Sequence, residues 1–160
     1  APLRLAAREL DCDTLLLFGA TLGARVDTAL RRISIRSIAE GAAAQAVAAS
    51  LIESYLDQQE VLWKQDLPDT WQYRSRFSPG YGDWDLTEQQ KIFRLLNCPK
   101  TIGLTLTAGG IMAPTKSVTA VIGIDRSGKK PAGPEASRCG KKSKCAACGN
   151  VDCPFRQEEL

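Results

Sequence analysis

Histidine is absent from this 160-residue chain, aromatic residues make up only 6% of it, and it contains one methionine. The missing histidine excludes Ser-His-Asp and Cys-His nucleophiles, and any zinc or haem site with a histidine ligand. No run of about 18 apolar residues occurs, so the sequence predicts no membrane-spanning helix. The amino terminus lacks both an initiator methionine and a signal-peptide pattern. We therefore expect that upstream chain is missing, and that the protein is cytoplasmic.

The net charge of +3 is unevenly distributed. Residues 126–144 carry a net charge of +6, residues 145–160 carry −2, and residues 1–125 carry −1. A nucleic-acid-binding domain spreads basic charge over a face of its folded body, whereas here the charge is concentrated in a segment without apolar periodicity. The sequence therefore predicts no nucleic-acid partner.

Helix and strand patterns follow one another irregularly in the first half of the chain. Residues 15–18 are a short apolar run that predicts a buried strand, and residues 26–33 predict a helix. Residues 37–64 form a long alanine-rich helical pattern, which predicts a central core helix. Residues 71–77 alternate between apolar and polar side chains and predict a second strand.

The second half of the chain adds one helix and two strands. Asp85 and Glu88 have the spacing of a reciprocal cap at the start of a helix. Residues 101–107 and 117–124 predict an antiparallel strand pair with a long connection. This order of elements is typical of an α+β fold with a mixed, mostly antiparallel sheet. We expect an α+β domain over residues 1–125, a basic Pro/Gly linker over 126–138 and a tail over 139–160.

Four of the six cysteines lie within fifteen residues of the tail. A polar peptide this short cannot build a core, so thiolates converging on one metal centre would explain its order. The Cys-Pro ending favours a [4Fe–4S] cluster, with structural zinc as the alternative and disulfides or free thiols as a third reading. Cys12 and Cys98 lie in apolar stretches and are expected to be buried without a role. The candidate ligands are Cys139, Cys145, Cys148 and Cys153.

Three further segments carry a resemblance to a known family. They are Arg-x-x-Pro-Gly-Tyr at 76–81, Ile-Gly-Leu-Thr-Leu-Thr at 102–107 and Met-x-Pro-x-x-Ser-Val at 112–118. In this order and spacing they resemble the activation (reactivation) domain of cobalamin-dependent methionine synthase. The upstream segment at 18–27 is similar to standalone bacterial subunits of the same family.

The resemblance implies a function. It implies an accessory subunit that docks on a cobalamin-dependent methyltransferase and supports its reductive reactivation, with S-adenosylmethionine as methyl donor and flavodoxin or ferredoxin as electron donor. The cobalamin would be on the methyltransferase. The guanidinium of Arg76 would pair with the ligand carboxylate through two parallel hydrogen bonds. Backbone groups of Ser78 and Gly80 would approach the ligand, and Tyr81 would border the pocket.

Two alternatives remain open from the residues themselves. The first is a non-catalytic adaptor for a corrinoid protein, with the tail as a zinc knuckle. The second is an independent methyltransferase that uses S-adenosylmethionine directly. The sequence argues against the second, because it shows no glycine-rich strand-to-helix loop followed by an acidic strand end.

Overall fold

The computed structural model describes residues 12–81 and 84–127. The predicted linker from residue 128 onward and the whole cysteine tail lie outside the described residues. The helices and strands follow in the order β1 (Thr14–Thr21), α1 (Ala24–Arg36), α2 (Ile38–Gln65), β2 (Gln72–Phe77), a 3₁₀ turn (Leu86–Glu88), α3 (Gln89–Leu96), α4 (Cys98–Thr101), β3 (Thr105–Leu106), β4 (Met112–Ala113) and β5 (Ser117–Asp125).

The main sheet has three antiparallel strands in the order β1-β5-β2. The register pairs Phe18 with Ala120 across β1 and β5, and Arg76 with Ile122 across β2 and β5. Strand β5 is central and is buried along most of its length. Mixed helices and antiparallel strands confirm the predicted α+β class.

The sheet separates two apolar layers. On one face, Phe18 and Ile122 pack against Ile52 and Leu56 of α2. On the other face, Val121 packs against residues of the α3 side, including Trp84 and Ile92. Successive residues of a strand point to opposite faces, so β5 supplies both layers with alternate side chains.

Helices α1 and α2 form a tight helical hairpin. The hydroxyl of Ser37 accepts a hydrogen bond from the amide of Glu40 at 3.3 Å and so caps α2. Gly41 lies against Ser34 so closely that a Cβ at position 41 would be 2.5 Å from the Ser34 Oγ. The sequence therefore brings the helices together by removing a side chain at their contact.

The structure corrects three sequence predictions. Residues 101–107 do not pair with β5, because the two-residue strand β3 pairs with β4 in a separate hairpin. Glu88 does not close a reciprocal cap, since its carboxylate binds Lys91 at 2.7 Å while Asp85 alone accepts the capping hydrogen bond. The predicted central core helix, α2, does pack on the sheet through Ile52 and Leu56, but it is not central, since Val47 and Leu51 are more than half exposed.

The β3–β4 hairpin has a core of its own. Phe93, Cys98 and Leu104 form a buried cluster, against which Leu106 and Met112 pack. The prediction of burial is therefore confirmed for Cys98, whose thiol pKa is raised by burial, but not for Cys12, which is only half-buried. The connection from β4 to β5 is tied to α1, because Asp27 accepts hydrogen bonds from the amide and hydroxyl of Thr115 at 2.7 and 2.9 Å.

Candidate functional site

The side chain of Arg76, in β2, lies on the sheet face that carries α2, where it contacts three carboxylates. Its Nη2 donates to Glu53 at 2.6 Å, and its Nη1 donates to Asp57 at 2.7 Å and to Glu60 at 2.5 Å. We call these four residues the Arg76 cluster. It carries one positive and three negative charges, so its net charge is −2.

The cluster holds Arg76 firmly in its charged form. Burial lowers the pKa of the guanidinium, but the hydrogen bonds that it donates to Glu60, Asp57 and Glu53 outweigh burial and raise the pKa overall. The Arg76 side chain is 23% exposed and that of Glu60 16%, whereas those of Glu53 and Asp57 are 55% and 70% exposed. Glu60 is thus the inner partner, and the other two acids face solvent.

The sequence analysis did not select the three acids. Their spacing at 53, 57 and 60 repeats every four and three residues, which places them on one side of α2. That periodicity predicts an acidic stripe on a helix. It does not predict which cation meets the stripe, because the strand that supplies Arg76 follows more than ten residues later.

The turn after β2 is shaped by backbone hydrogen bonds. The amide of Gly80 donates to the Trp84 carbonyl at 2.7 Å, and the amide of Tyr81 donates to the Ser78 carbonyl at 3.3 Å. Gly80 has a φ of 93°, a conformation that favours glycine. The residue type at position 80 is therefore dictated by the turn, and its amide is already bonded within the turn.

Side chains of the turn divide into buried and exposed sets. Trp84 is 2% exposed and stacks on Phe77 with ring centroids 5.7 Å apart. Its indole nitrogen has no hydrogen-bond partner among the described residues. Tyr81 is 67% exposed and Leu86 is 49% exposed. The turn therefore presents an apolar edge to solvent while it is anchored by a tryptophan beneath.

The predicted ligand-binding residues are thus contiguous in sequence but differ in environment. Arg76 is engaged by α2, whereas Ser78, Gly80 and Tyr81 belong to the turn that leads to the α3 layer. A ligand carboxylate at Arg76 would have to replace existing partners. The two exposed acids, Glu53 and Asp57, occupy one terminal nitrogen each and are the contacts that a bidentate ligand would take over.

Tyr73 lies beside the Arg76 cluster and adds to its electrostatics. Burial and the nearby Glu60 carboxylate raise the pKa of its phenol. The Lys64 ammonium lies 4.6 Å from the centroid of its ring, within the range of a cation–π contact. The phenolic oxygen has no hydrogen-bond partner among the residues that the structure describes.

No metal site lies in the described part of the chain: residues 12–81 and 84–127 contain no group of three or more side chains placed to hold a metal ion. The candidate ligands Cys139, Cys145, Cys148 and Cys153 are outside those ranges. Among the described helices, none is both long and apolar enough to cross a membrane.

Motif segments that are distant in sequence meet around β5. The Ser117 hydroxyl donates to the Thr21 hydroxyl at 2.8 Å, and the amide of Leu22 donates to the Lys116 carbonyl at 2.9 Å. These contacts join the end of β1 to the start of β5, so both segments have a structural role.

Comparison with known proteins identifies one family whose model matches the chain. No curated protein matches the chain. A family model described as "Vitamin B12 dependent methionine synthase, activation domain" matches residues 29–129, which is more than half of the sequence. The matched region runs from α1 through β5 and includes the Arg76 cluster and the turn that follows it. The chain therefore belongs to the activation-domain family of vitamin B12-dependent methionine synthase.

Proposed function

We propose that the chain acts in trans as an activation subunit, which docks on a separate cobalamin-bearing methyltransferase and supports its reductive reactivation. The observation that carries the proposal is the family match, which includes the motif from Arg76 to Tyr81. Reactivation would add one electron to the Co(II) of the methyltransferase's cobalamin and transfer the methyl group of S-adenosylmethionine to the reduced cobalt, with release of S-adenosylhomocysteine. Methionine synthase is the methyltransferase that the family description favours. The place of action would be the cytoplasm.

The exposed edge of the turn supports docking. Leu86 lies close to the turn at Gly80, where an added Cβ would be 3.3 Å from the Leu86 side chain, and Tyr81 is the next residue of that turn. Ile111, at the tip of the β3–β4 hairpin, is 66% exposed, and the neighbouring Met112 packs against the buried cluster that includes Phe93 of α3. Apolar and aromatic side chains presented on a turn are suited to cover a flat, largely apolar macrocycle.

S-adenosylmethionine binding is proposed to proceed by exchange at Arg76. The ligand carboxylate would replace Glu53 and Asp57, while Glu60 would keep its contact with the guanidinium. The released carboxylates would remain close to the cationic groups of the ligand, so part of the lost ion pairing would be recovered. Ser78, Gly80 and Tyr81 would line the ligand further along the turn.

Calorimetric titration of S-adenosylmethionine into the full chain tests this exchange. Arg76→Lys should weaken binding by about tenfold or more, because lysine cannot form the two parallel hydrogen bonds. Asp57→Asn should tighten binding if Glu53 and Asp57 compete with the ligand carboxylate more than they attract the cationic groups of the ligand. Asp66→Asn, an acid beyond the Arg76 cluster, is the matched control and should leave the affinity unchanged. Equal affinity in all three variants would refute a role for Arg76 in binding.

Docking is tested with a purified cobalamin-bearing methyltransferase as bait. We expect Tyr81→Ala to weaken capture and to slow the loss of the Co(II) absorption when S-adenosylmethionine and reduced flavodoxin are supplied. Tyr55→Ala is the control, since Tyr55 is 50% exposed on α2, beyond the proposed docking face. If the two variants dock equally well, the turn is not the docking surface.

The tail is proposed to hold a [4Fe–4S] cluster that relays the electron from flavodoxin or ferredoxin to the cobalt. Support comes from the four-cysteine spacing next to a domain whose reaction requires one electron. Iron and sulfide analysis of anaerobically purified protein decides between iron and zinc. Replacing Cys145 and Cys148 by Ala should abolish cobalt reduction and leave docking intact, with Cys12→Ala as the control. Unchanged reduction kinetics would rule out the relay.

One observation favours a second function, that of a non-catalytic adaptor with a zinc knuckle. Both terminal nitrogens of Arg76 are already bonded within the protein, which suits a structural arginine as well as a ligand-binding one. An adaptor would dock on the corrinoid protein, give no heat with S-adenosylmethionine and contain stoichiometric zinc without visible absorption.

A further inference from the structure

Tyr73 carries a buried hydroxyl whose hydrogen-bonding capacity is unused. Its side chain packs against the apolar cluster on the α2 face of the sheet, and the Lys64 ammonium lies 4.6 Å from the centroid of its ring. The phenolic oxygen is buried and has no hydrogen-bond partner within residues 12–81 and 84–127. Buried polar groups in folded proteins are almost always bonded, because a buried donor without an acceptor is destabilising. The hydroxyl of Tyr73 therefore requires an explanation.

An irregularity in β2 brings this hydroxyl to the same face of the sheet as the Arg76 guanidinium. Residues three apart in a regular strand point to opposite faces. Tyr73, however, pairs with Ile124 of β5. Arg76 pairs with Ile122, so three steps along β2 correspond to two steps along β5, which is the count of a β-bulge. Because positions 122 and 124 share one face of β5, Tyr73 and Arg76 both lie on the side of the sheet that carries α2.

Glu60 of α2 is the acid that lies near both residues. Its carboxylate accepts a hydrogen bond from Arg76. Burial, and next to it the charge of this carboxylate, raises the pKa of the Tyr73 phenol. Lys64, one helical turn further along α2, lies over the Tyr73 ring, so positions 60 and 64 cover this part of β2 together. Glu60 is also the least exposed acid of the Arg76 cluster, at 16%.

The Glu60 carboxylate has acceptor capacity to spare. A carboxylate can accept about four hydrogen bonds. From the described residues the Glu60 carboxylate accepts one, through Oε1 from the Nη1 of Arg76. Its second oxygen is open to a further donor, and the hydroxyl of Tyr73 is a donor without an acceptor in the same part of the interface between β2 and α2. The interface thus contains both halves of a hydrogen bond that is not formed.

We propose that Tyr73 is a positioning residue, whose hydroxyl becomes the second partner of Glu60 when a ligand carboxylate engages Arg76. The inference rests on the proposed function for its ligand, S-adenosylmethionine. A ligand that shares the guanidinium takes part of the positive charge that Glu60 has in the free protein, and a hydrogen bond from the phenol to the carboxylate offsets this loss. Oε1 of Glu60 keeps its contact with Arg76, while Oε2 accepts the hydrogen bond from Tyr73. Binding thereby pairs a donor that is unpaired in the free protein.

Thermal melts of the full chain test the pairing without a ligand, because Arg76→Leu also deprives Glu60 of its cation. Tyr73→Phe alone should leave the melting temperature unchanged or raise it slightly, since the hydroxyl that it removes has no partner. In the Arg76→Leu chain the same change should lower the melting temperature by about 3–6 °C, since the hydroxyl is then the donor left to Glu60. Tyr55→Phe, which removes a hydroxyl from a half-exposed position of α2, is the matched control and should have the same small effect in both chains. An equal effect of Tyr73→Phe in both chains would overturn the pairing.

Calorimetry with S-adenosylmethionine separates this inference from the proposed function. The wild-type chain should bind, and Tyr73→Phe should weaken binding about fivefold, whereas Tyr55→Phe should not change it. The change in near-ultraviolet absorption on binding should be smaller in Tyr73→Phe than in Tyr55→Phe, because the new hydrogen bond of the Tyr73 phenol shifts its absorption. No heat from the wild type would refute S-adenosylmethionine as the ligand and, with it, the part of Tyr73 in binding, while the melts decide the pairing on their own. Heat from the wild type with an unchanged affinity in Tyr73→Phe would overturn the inference alone.

Discussion

Removal of the Arg76 side chain is the sharpest test of how α2 is attached to the sheet. Arg76→Leu keeps an apolar stem of similar length but leaves Glu53, Asp57 and Glu60 without their cation. Breaking a buried ion pair costs about 3–5 kcal/mol, because one charge is left desolvated and unpaired. Only Glu60, at 16% exposure, approaches that situation, while the other two acids are largely hydrated. Allowing for solvent screening, we expect a loss of about 2 kcal/mol.

Urea denaturation followed by circular dichroism gives the free energy of unfolding of each variant. The control is Arg126→Leu, since Arg126 is 52% exposed and pairs with Asp13 at 3.2 Å. It should cost less than about 1 kcal/mol, as exposed ion pairs do. If both variants lose the same small amount of stability, the Arg76 cluster does not hold α2 in place.

Three further predictions concern other parts of the fold. Gly41→Ala should lower the free energy of unfolding by about 1–3 kcal/mol, because the new Cβ would be 2.7 Å from the Ser34 Cα. This clash outweighs the better helix propensity of alanine, and thermal melts measure the loss of stability. Leu56→Ala should cost about 2–5 kcal/mol in urea denaturation, since Leu56 is 1% exposed, whereas Leu51→Ala should cost little, since Leu51 is 57% exposed. Hydrogen bonds from Thr87 lower the pKa of Asp85, so Asp85→Ala should reduce the melting temperature above about pH 4. In thermal melts at lower pH, the difference in melting temperature between variant and wild type should vanish, because the wild-type carboxylate becomes protonated.

Local patterns predicted much of the fold. The long helix was expected at 37–64 and extends from Ile38 to Gln65, since alanine-rich periodicity and the Ser37 cap act within a few residues. The strand expected at 71–77 is observed at Gln72–Phe77, since the alternation of apolar and polar side chains is also a pattern of neighbouring residues. Strand pairing was harder, because β5 has both β1 and β2 as neighbours, and these are separated from it by long stretches of chain. Apolar composition alone does not select between such strands and the nearby β3.

In the candidate site, too, the features set by residues close in sequence were predictable, and the contacts between distant residues were not. The shape of the turn follows from Pro79 and Gly80, and it could be read from the sequence. The partners of Arg76 could not, because they depend on which face of β2 the arginine occupies and on the helix that covers that face. The irregular register between Tyr73 and Arg76 adds to the difficulty, since it shifts the alternation of side chains along β2.

The position of β2 at the edge of the sheet bears on how one ligand could meet both halves of the proposed site. Arg76 pairs with Ile122, which belongs to the α2 layer, and Phe77 pairs with Val121, which belongs to the α3 layer. The guanidinium and the turn that follows Phe77 are therefore directed to different sides of the strand. A ligand in contact with both must pass along the open edge of β2, where backbone groups are not taken up by a neighbouring strand of the described sheet. Binding there would exchange contacts between Arg76 and α2 for contacts with the ligand, so ligand binding and the attachment of α2 would be coupled.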